Sequence, residues 1–172
     1  MIRILTDSAA DLTAAELNAP GVTVVPMTVT FMDGSSQEDD GTMTKDEFFA
    51  RLASDSKLPR TSQPSPSAYI QAYEDAAAAG DEVIVITIAQ KLSGTFQSAR
   101  LAAADADFAP YIVDSESATQ GEALIVREAL RLRDEEHLSA EEIFNALEQF
   151  KKRVRIVAIV DSLKHLQKGG RL

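Results

Sequence analysis

The sequence contains no cysteine, which excludes a disulfide scaffold, a thiolate zinc site and thiol catalysis, and suits a reducing compartment. It also lacks long apolar runs: none approaches the roughly 20 residues of a membrane-spanning helix, and Asp7 interrupts the N-terminus where a signal peptide would still be apolar. These absences predict a cytoplasmic protein with no membrane insertion. Positive charge is scarce. Lys and Arg number 17 against 27 Asp and Glu, a formal charge of −10, and such a field repels nucleic-acid phosphates and anionic lipid headgroups. No nucleic-acid partner is expected. Two phosphate-binding patterns are missing as well, G-x-x-x-x-G-K-[ST] and G-x-G-x-x-G, which argues against a polyphosphate ligand. Glu38, Asp39 and Asp40 sit in a polar run where solvated loop acids are the ordinary reading, so neither a metal nor a cofactor is expected.

What is present is a 172-residue chain, 45% hydrophobic, of about one domain's length. Apolar runs alternate with helical patterns, the signature of βαβ units. The expected class is α/β, a mainly parallel sheet with helices on both faces. Residues 1–160 are expected to form one domain, and 161–172 the start of a second domain that is largely absent. Strands are predicted at Ile2–Thr6, within Val22–Phe31, at Val83–Ile88, at Tyr111–Val113 and at Val154–Val160. Pro26 should push the second run toward an edge or a bulge, and the near-continuous β-branched run 83–88 reads as a central strand buried on both faces. Helices are predicted over Thr13–Asn18, Ala68–Ala79, Gly94–Ala104, Ala118–Glu135, Ser139–Phe150 and Ser162–Lys168. Another opens with a Thr44/Glu47 capping box and turns Phe48, Phe49 and Leu52 toward a core; Ser139 and Glu142 form a second box. Gly80 should stop the 68–79 helix. Residues 32–41 and 58–67 read as loops.

Four short segments rich in hydroxyls follow strand candidates: Thr6-Asp7-Ser8, Thr61-Ser62-Gln63-Pro64-Ser65, Leu92-Ser93-Gly94-Thr95 and Asp114-Ser115-Glu116-Ser117. In an open α/β sheet, ligands bind beyond the carboxyl ends of strands, where helix N-termini offer free amides and a partial positive charge. The four are therefore expected to converge on one anion. Any one of them alone is more simply a set of N-caps, but two exceed that need. Thr61 and Ser62 precede the next helix by too many residues for both to cap it. Gly94 between Ser93 and Thr95 would let a head group approach the backbone. Only Arg60 and Lys91 lie beside these segments, so neutral donors holding a single carboxylate fit best.

An enzyme using the same crevice is the alternative. A hydrolase would need an activated serine, yet Ser93 lies in L-S-G-T rather than G-x-S-x-G, and the only histidines are His137 and His165. Asp7 and Asp11 hint at an aspartyl nucleophile for phosphoryl transfer, but their spacing is wider than the one-residue gap such enzymes use; a cap and a helix-start charge is the simpler reading.

Ile4-Leu5-Thr6-Asp7-Ser8, Pro26, Phe48-Phe49, Thr61-Ser62-Gln63-Pro64-Ser65, Leu92-Ser93-Gly94-Thr95-Phe96-Gln97-Ser98-Ala99, Val113-Asp114-Ser115 and Lys168-Gly169-Gly170-Arg171 occur in an order that resembles the DegV family. The resemblance covers the whole chain. It implies a bacterial long-chain fatty-acid-binding protein, with palmitate as an example ligand, that carries rather than transforms its lipid and presents it to a separate fatty acid kinase subunit for acyl phosphate formation. It also implies that Thr61 and Ser93 hold the carboxylate. Ser62, Gly94 and Thr95 complete the expected ligand-binding set, with no catalytic or metal-binding residues. Two departures stand out: Ala89-Gln90 replaces a pair of serines usual in the family, and family members usually continue for about another hundred residues, an ordinary domain's length, past Gly-Gly-Arg. Enclosing a sixteen-carbon tail is worth about 0.8 kcal/mol per methylene, so one wall alone would forfeit on the order of half of about 10 kcal/mol. Weak binding and self-association through exposed apolar surface are therefore expected of this chain alone.

Overall fold

The computed structural model describes residues 1–54, 58–106, 108–159, 163–168 and 170. Its body is a four-stranded parallel sheet in the order β2-β1-β6-β7, formed by Val22–Val25 (β2), Ile2–Asp7 (β1), Glu82–Thr87 (β6) and Tyr111–Asp114 (β7). Register is set by pairs such as Leu5 with Thr23 and Thr6 with Ile86. β1 and β6 carry almost only β-branched or leucine side chains at their centres because both faces are covered. On one face Leu5, Val83 and Val85 pack under helices α3 (Pro66–Ala78) and α4 (Thr95–Ala104), together with Tyr69, Tyr73 and Ala99. On the other, Ile4, Ile84 and Ile86 pack under α5 (Gln120–Asp134) and α6 (Ala140–Phe150), with Ile125, Ile143 and Leu147. The parallel sheet covered on both faces is the α/β class expected.

Local chemistry sets the helix ends. Ser139 and Glu142 form the predicted capping box of α6, and Thr13 and Glu16 form another on the short helix α1 (Ala14–Leu17). Thr44 and Glu47 exchange backbone and side-chain hydrogen bonds at 2.8 and 3.2 Å ahead of α2 (Lys45–Ser54). α3 has Ser65 as its cap and Pro66 in its first turn, and it ends just before Gly80, whose φ of +70° suits glycine.

The second β-rich run divides at Pro26. β2 is an edge strand of the parallel sheet, whereas Thr28–Thr30 (β3) joins a separate antiparallel sheet, order β4-β3-β5, with Ser36–Glu38 (β4) and Arg60–Ser62 (β5). Both stretches read as loops contain a strand. Each is polar and three residues long, so it shows no alternation, and its ladder partner is supplied by tertiary structure. α2 covers this small sheet loosely: Phe48 lies 6.3 Å from the Phe31 ring, while Phe49 is 59% exposed and not core-facing as expected.

A further strand was expected over Val154–Val160, but the described residues 154–159 have no regular secondary structure and lie outside both sheets, and Val160 lies outside the described residues. A β-branched run needs a ladder to become a strand, and among the described residues nothing pairs with this one. Val157 and Ile159 are 91% and 99% exposed. The final helix, α7, runs Lys164–Lys168; its expected start, Ser162, lies outside the described residues, as do Gly169, Arg171 and Leu172. No helix among the described residues is long and apolar enough to cross a membrane.

Candidate functional site

The strand order 2-1-6-7 reverses between β1 and β6, so the crevice beyond their carboxyl ends is where an open α/β sheet accepts ligand. Met27, Thr61, Ser62, Gln63, Ile88, Leu92, Ser93, Gly94 and Leu166 line an open cavity of about 820 Å³ there, a volume in the small-ligand range. Ile88 continues β6, Met27 follows Pro26, Thr61 and Ser62 lie on β5, and Leu92, Ser93 and Gly94 lead into α4. Thr61 reaches this position because it pairs with Val29 at the centre of the small sheet. None of these lining residues is charged. Arg60 and Lys91, the two cations beside the motifs, are exposed and lie off the lining.

Of the four hydroxyl-rich segments, two line this cavity and two do not. Asp7 accepts the Ala9 amide at 3.0 Å and the Ile88 amide at 2.9 Å, and Ser8 Oγ accepts the Met27 amide at 3.1 Å. Asp114 accepts the amides of Gln90 and Glu116, and Ser115 Oγ exchanges hydrogen bonds with the backbone of Ser117. In those two segments capping and loop closure consume the polar atoms. The expected convergence of four segments therefore reduces to two.

Gly94 is the N-cap residue of α4, lines the cavity and provides no side-chain cap, so the positive end of that helix lies at the cavity rim. Ser93 is not a cap. Its Oγ lies 2.9 Å from Thr95 Oγ1. Thr95 is fully buried and off the cavity lining, so it reaches the site only through Ser93. A hydrogen donated from Thr95 to Ser93 leaves the Ser93 hydrogen free for a ligand. The reason expected for glycine at 94 is replaced by another: an added Cβ would stand 2.1 Å from Gln63 Oε1, so the missing side chain makes room for Gln63 rather than for a head group. Gln63 Nε2 also donates to Ser98 Oγ at 3.0 Å. The motif reading did not single out Gln63. Its contact partners lie in another segment, and only its place beside Thr61-Ser62 hinted at a role.

Beneath the crevice lies a pair of buried acids. Thr6 Oγ1 donates to Glu122 Oε1 at 3.1 Å, while Glu122 Oε2 is sealed from solvent with no donor in reach. Desolvation, followed by the neighbouring Asp7 charge, pushes Glu122 up to about 10, so it is protonated at neutral pH. Desolvation likewise raises Asp7 to about 6, against the pull of its amide donors. Glu122 sits in the first turn of α5, where a sequence reads it as an ordinary helix-start charge. His137 lines a different cavity, with Met1, Ile2 and Glu82 at the opposite, amino ends of the strands. His165 lies on α7 and its side chain is outside the described residues.

A family model described as "Uncharacterised protein, DegV family" matches residues 1–172. The chain is 36% identical over 172 residues to a DegV domain-containing protein of Caldanaerobacter subterraneus subsp. tengcongensis, covering 99% of this chain and 60% of that protein. Among solved structures, a fatty-acid-binding DegV family protein from Thermus thermophilus matches with a TM-score of 0.86 at 34% identity, over 99% of this chain and 60% of the other. A stearic acid-binding protein from Eubacterium ventriosum matches with a TM-score of 0.82 at 31% identity, over the same shares of the two chains. The chain thus spans about three fifths of the length of these relatives. Sequence and fold agree on one assignment: the chain belongs to the DegV family.

Proposed function

We propose that this chain binds a long-chain fatty acid, palmitate or a near neighbour in length, and carries it without transforming it. The supporting observation is the cavity itself: the hydroxyl-bearing Thr61, Ser62 and Ser93 line the same uncharged space as the apolar Met27, Ile88, Leu92 and Leu166. A carboxylate needs donors, and a hydrocarbon tail needs a wall without charge; this lining supplies both. In this reading Thr61 and Ser93 donate to the carboxylate, Thr95 orients Ser93, the open end of α4 adds positive potential, and Ser62 and Gly94 shape the rim. The names of the Thermus and Eubacterium structures, which describe fatty acid and stearic acid binding, support the ligand class. Residues 1–160 act in this reading as the head-binding unit, to whose cavity Leu166 adds one apolar side chain. A separate kinase subunit then takes the presented carboxylate to acyl phosphate. Against an aspartyl nucleophile stands Asp7 itself, whose two oxygens each already accept a backbone amide.

The test is denaturing extraction of the purified protein followed by mass spectrometry, together with displacement of a fluorescent C16 acid. C16 to C18 acids are expected in the extract at low occupancy, because the cavity is open and leaves part of a sixteen-carbon tail in water. Thr61→Ala and Ser93→Ala should each weaken the acid by about 1–3 kcal/mol, the value of a hydrogen bond to a charged group, with folding nearly unchanged. Unchanged affinity in the double variant would refute the assignment of the head-group site.

A further inference from the structure

Thr61 and Ser93 belong to two differently built parts of the molecule. Thr61 is on the small antiparallel sheet, within residues 27–64, and Ser93 is on the helix start of the α/β body. Among the described residues, two hydrogen bonds cross between these parts: the Met27 amide to Ser8 Oγ, and Gln63 Nε2 to Ser98 Oγ. The second is adjacent to the head-group hydroxyls on both sides. Gln63 follows Thr61 by two residues and is itself exposed, yet its amide reaches a serine that is 1% exposed. The route is the notch at Gly94: the three atoms nearest to a Cβ built there, at 2.1, 2.6 and 2.7 Å, all belong to the Gln63 side chain. Gly94 has φ −79° and ψ 7°, which any residue adopts, so conformation does not demand glycine here. The seat for Gln63 does.

We propose that Gln63 is a positioning residue for the lipid head group: seated over Gly94 and bonded to Ser98, it latches the strand carrying Thr61 to the helix start carrying Ser93, and so sets the span between the two donors. The proposal rests on the head-group reading above. Without the latch the small sheet keeps its own ladder and the body keeps its core, so what changes is the distance between two hydroxyls that must reach one carboxylate together. An ester head group, which accepts more weakly and carries no charge, depends far less on that distance.

The experiment measures displacement of a fluorescent C16 acid by palmitate and by methyl palmitate, with thermal unfolding midpoints alongside. Gln63→Ala, and Gln63→Asn as a variant that keeps the amide on a shorter stem, should each weaken palmitate roughly tenfold, the scale of one hydrogen bond, and leave methyl palmitate within about twofold. Gly94→Ala should weaken palmitate by a similar factor in the wild-type background and by almost nothing in a Gln63→Ala background, because the three atoms nearest the added Cβ all belong to Gln63. Ser98→Ala combined with Gln63→Ala should be no worse than Gln63→Ala. The latch is overturned if acid and ester weaken together, if neither moves while Thr61→Ala and Ser93→Ala still weaken palmitate, or if Gly94→Ala costs the same in both backgrounds. Loss of any effect from Thr61→Ala and Ser93→Ala would instead bring down the head-group reading, and the latch with it.

Discussion

The α/β body and the small antiparallel sheet are built on different principles, and the candidate site takes one donor from each. In the body, β1 and β6 hold residues such as Ile4, Leu5, Ile84 and Val85 at zero exposure between two helical layers. In the small sheet all three residues of β5 are exposed, and β4 and β5 are wholly polar. Burial fixes the body, whereas the sheet is held by a short ladder and, among the described residues, the crossing hydrogen bonds of Met27 and Gln63. A head-group site placed across that boundary has one rigid donor and one whose position depends on few contacts.

The largest expected effect that sharpens this contrast is in the body. Ile84→Ala, at the centre of β6, should cost about 2–5 kcal/mol in urea unfolding, whereas Phe48→Ala over the small sheet should cost markedly less. Equal losses would mean that the two regions share one core.

The next effect concerns the acids beneath the crevice. Glu122 is raised from 4.5 to about 10, so the folded state holds a proton that the unfolded chain releases. Its contribution to stability is fully present below pH 4.5 and is lost progressively as pH rises toward 10. Glu122→Gln removes that loss and should stabilise the body on the order of 3 kcal/mol at pH 7, with little effect at pH 4. Melting curves at the two pH values check this; a variant less stable than wild type at pH 7 would contradict the assignment of a protonated Glu122. Asp7, raised to about 6, has the same sign, its contribution being lost between about pH 4 and 6.

Smaller differences belong to the sheet. Amides of Thr28–Thr30 and Arg60–Ser62 should exchange with solvent through local opening, well below the free energy that protects Glu82–Thr87. Hydrogen exchange read by NMR separates the two, and equal protection would make the small sheet part of the body's cooperative unit. Thr61→Ala should change stability by no more than about 0.5 kcal/mol, as expected of an exposed residue.

The body was legible in the sequence because its signals are local. Val83–Thr87 is a contiguous β-branched run, the capping boxes span four residues, and Gly80 marks a helix end. The small sheet was not legible: residues 32–41 and 58–67 read as loops, because β4 and β5 are wholly polar, show no hydrophobic pattern and, for β5, pair with a strand about thirty residues away. Val154 to Ile159 misled for the converse reason, carrying strand propensity without a ladder. In the site, Thr61 and Ser93 stood out by having more hydroxyls than capping requires. The Gln63 seat on Gly94 and the proton on Glu122 depend on contacts between distant segments, which spacing along a chain does not reveal.

A crystal structure of the protein with palmitate bound tests the head-group assignment most directly. The account predicts the lipid carboxylate between Thr61 Oγ1 and Ser93 Oγ, within hydrogen-bonding distance of both, with the tail leaving along Met27, Ile88 and Leu92. Density showing the carboxylate held elsewhere, with those two hydroxyls turned away from it, would contradict it.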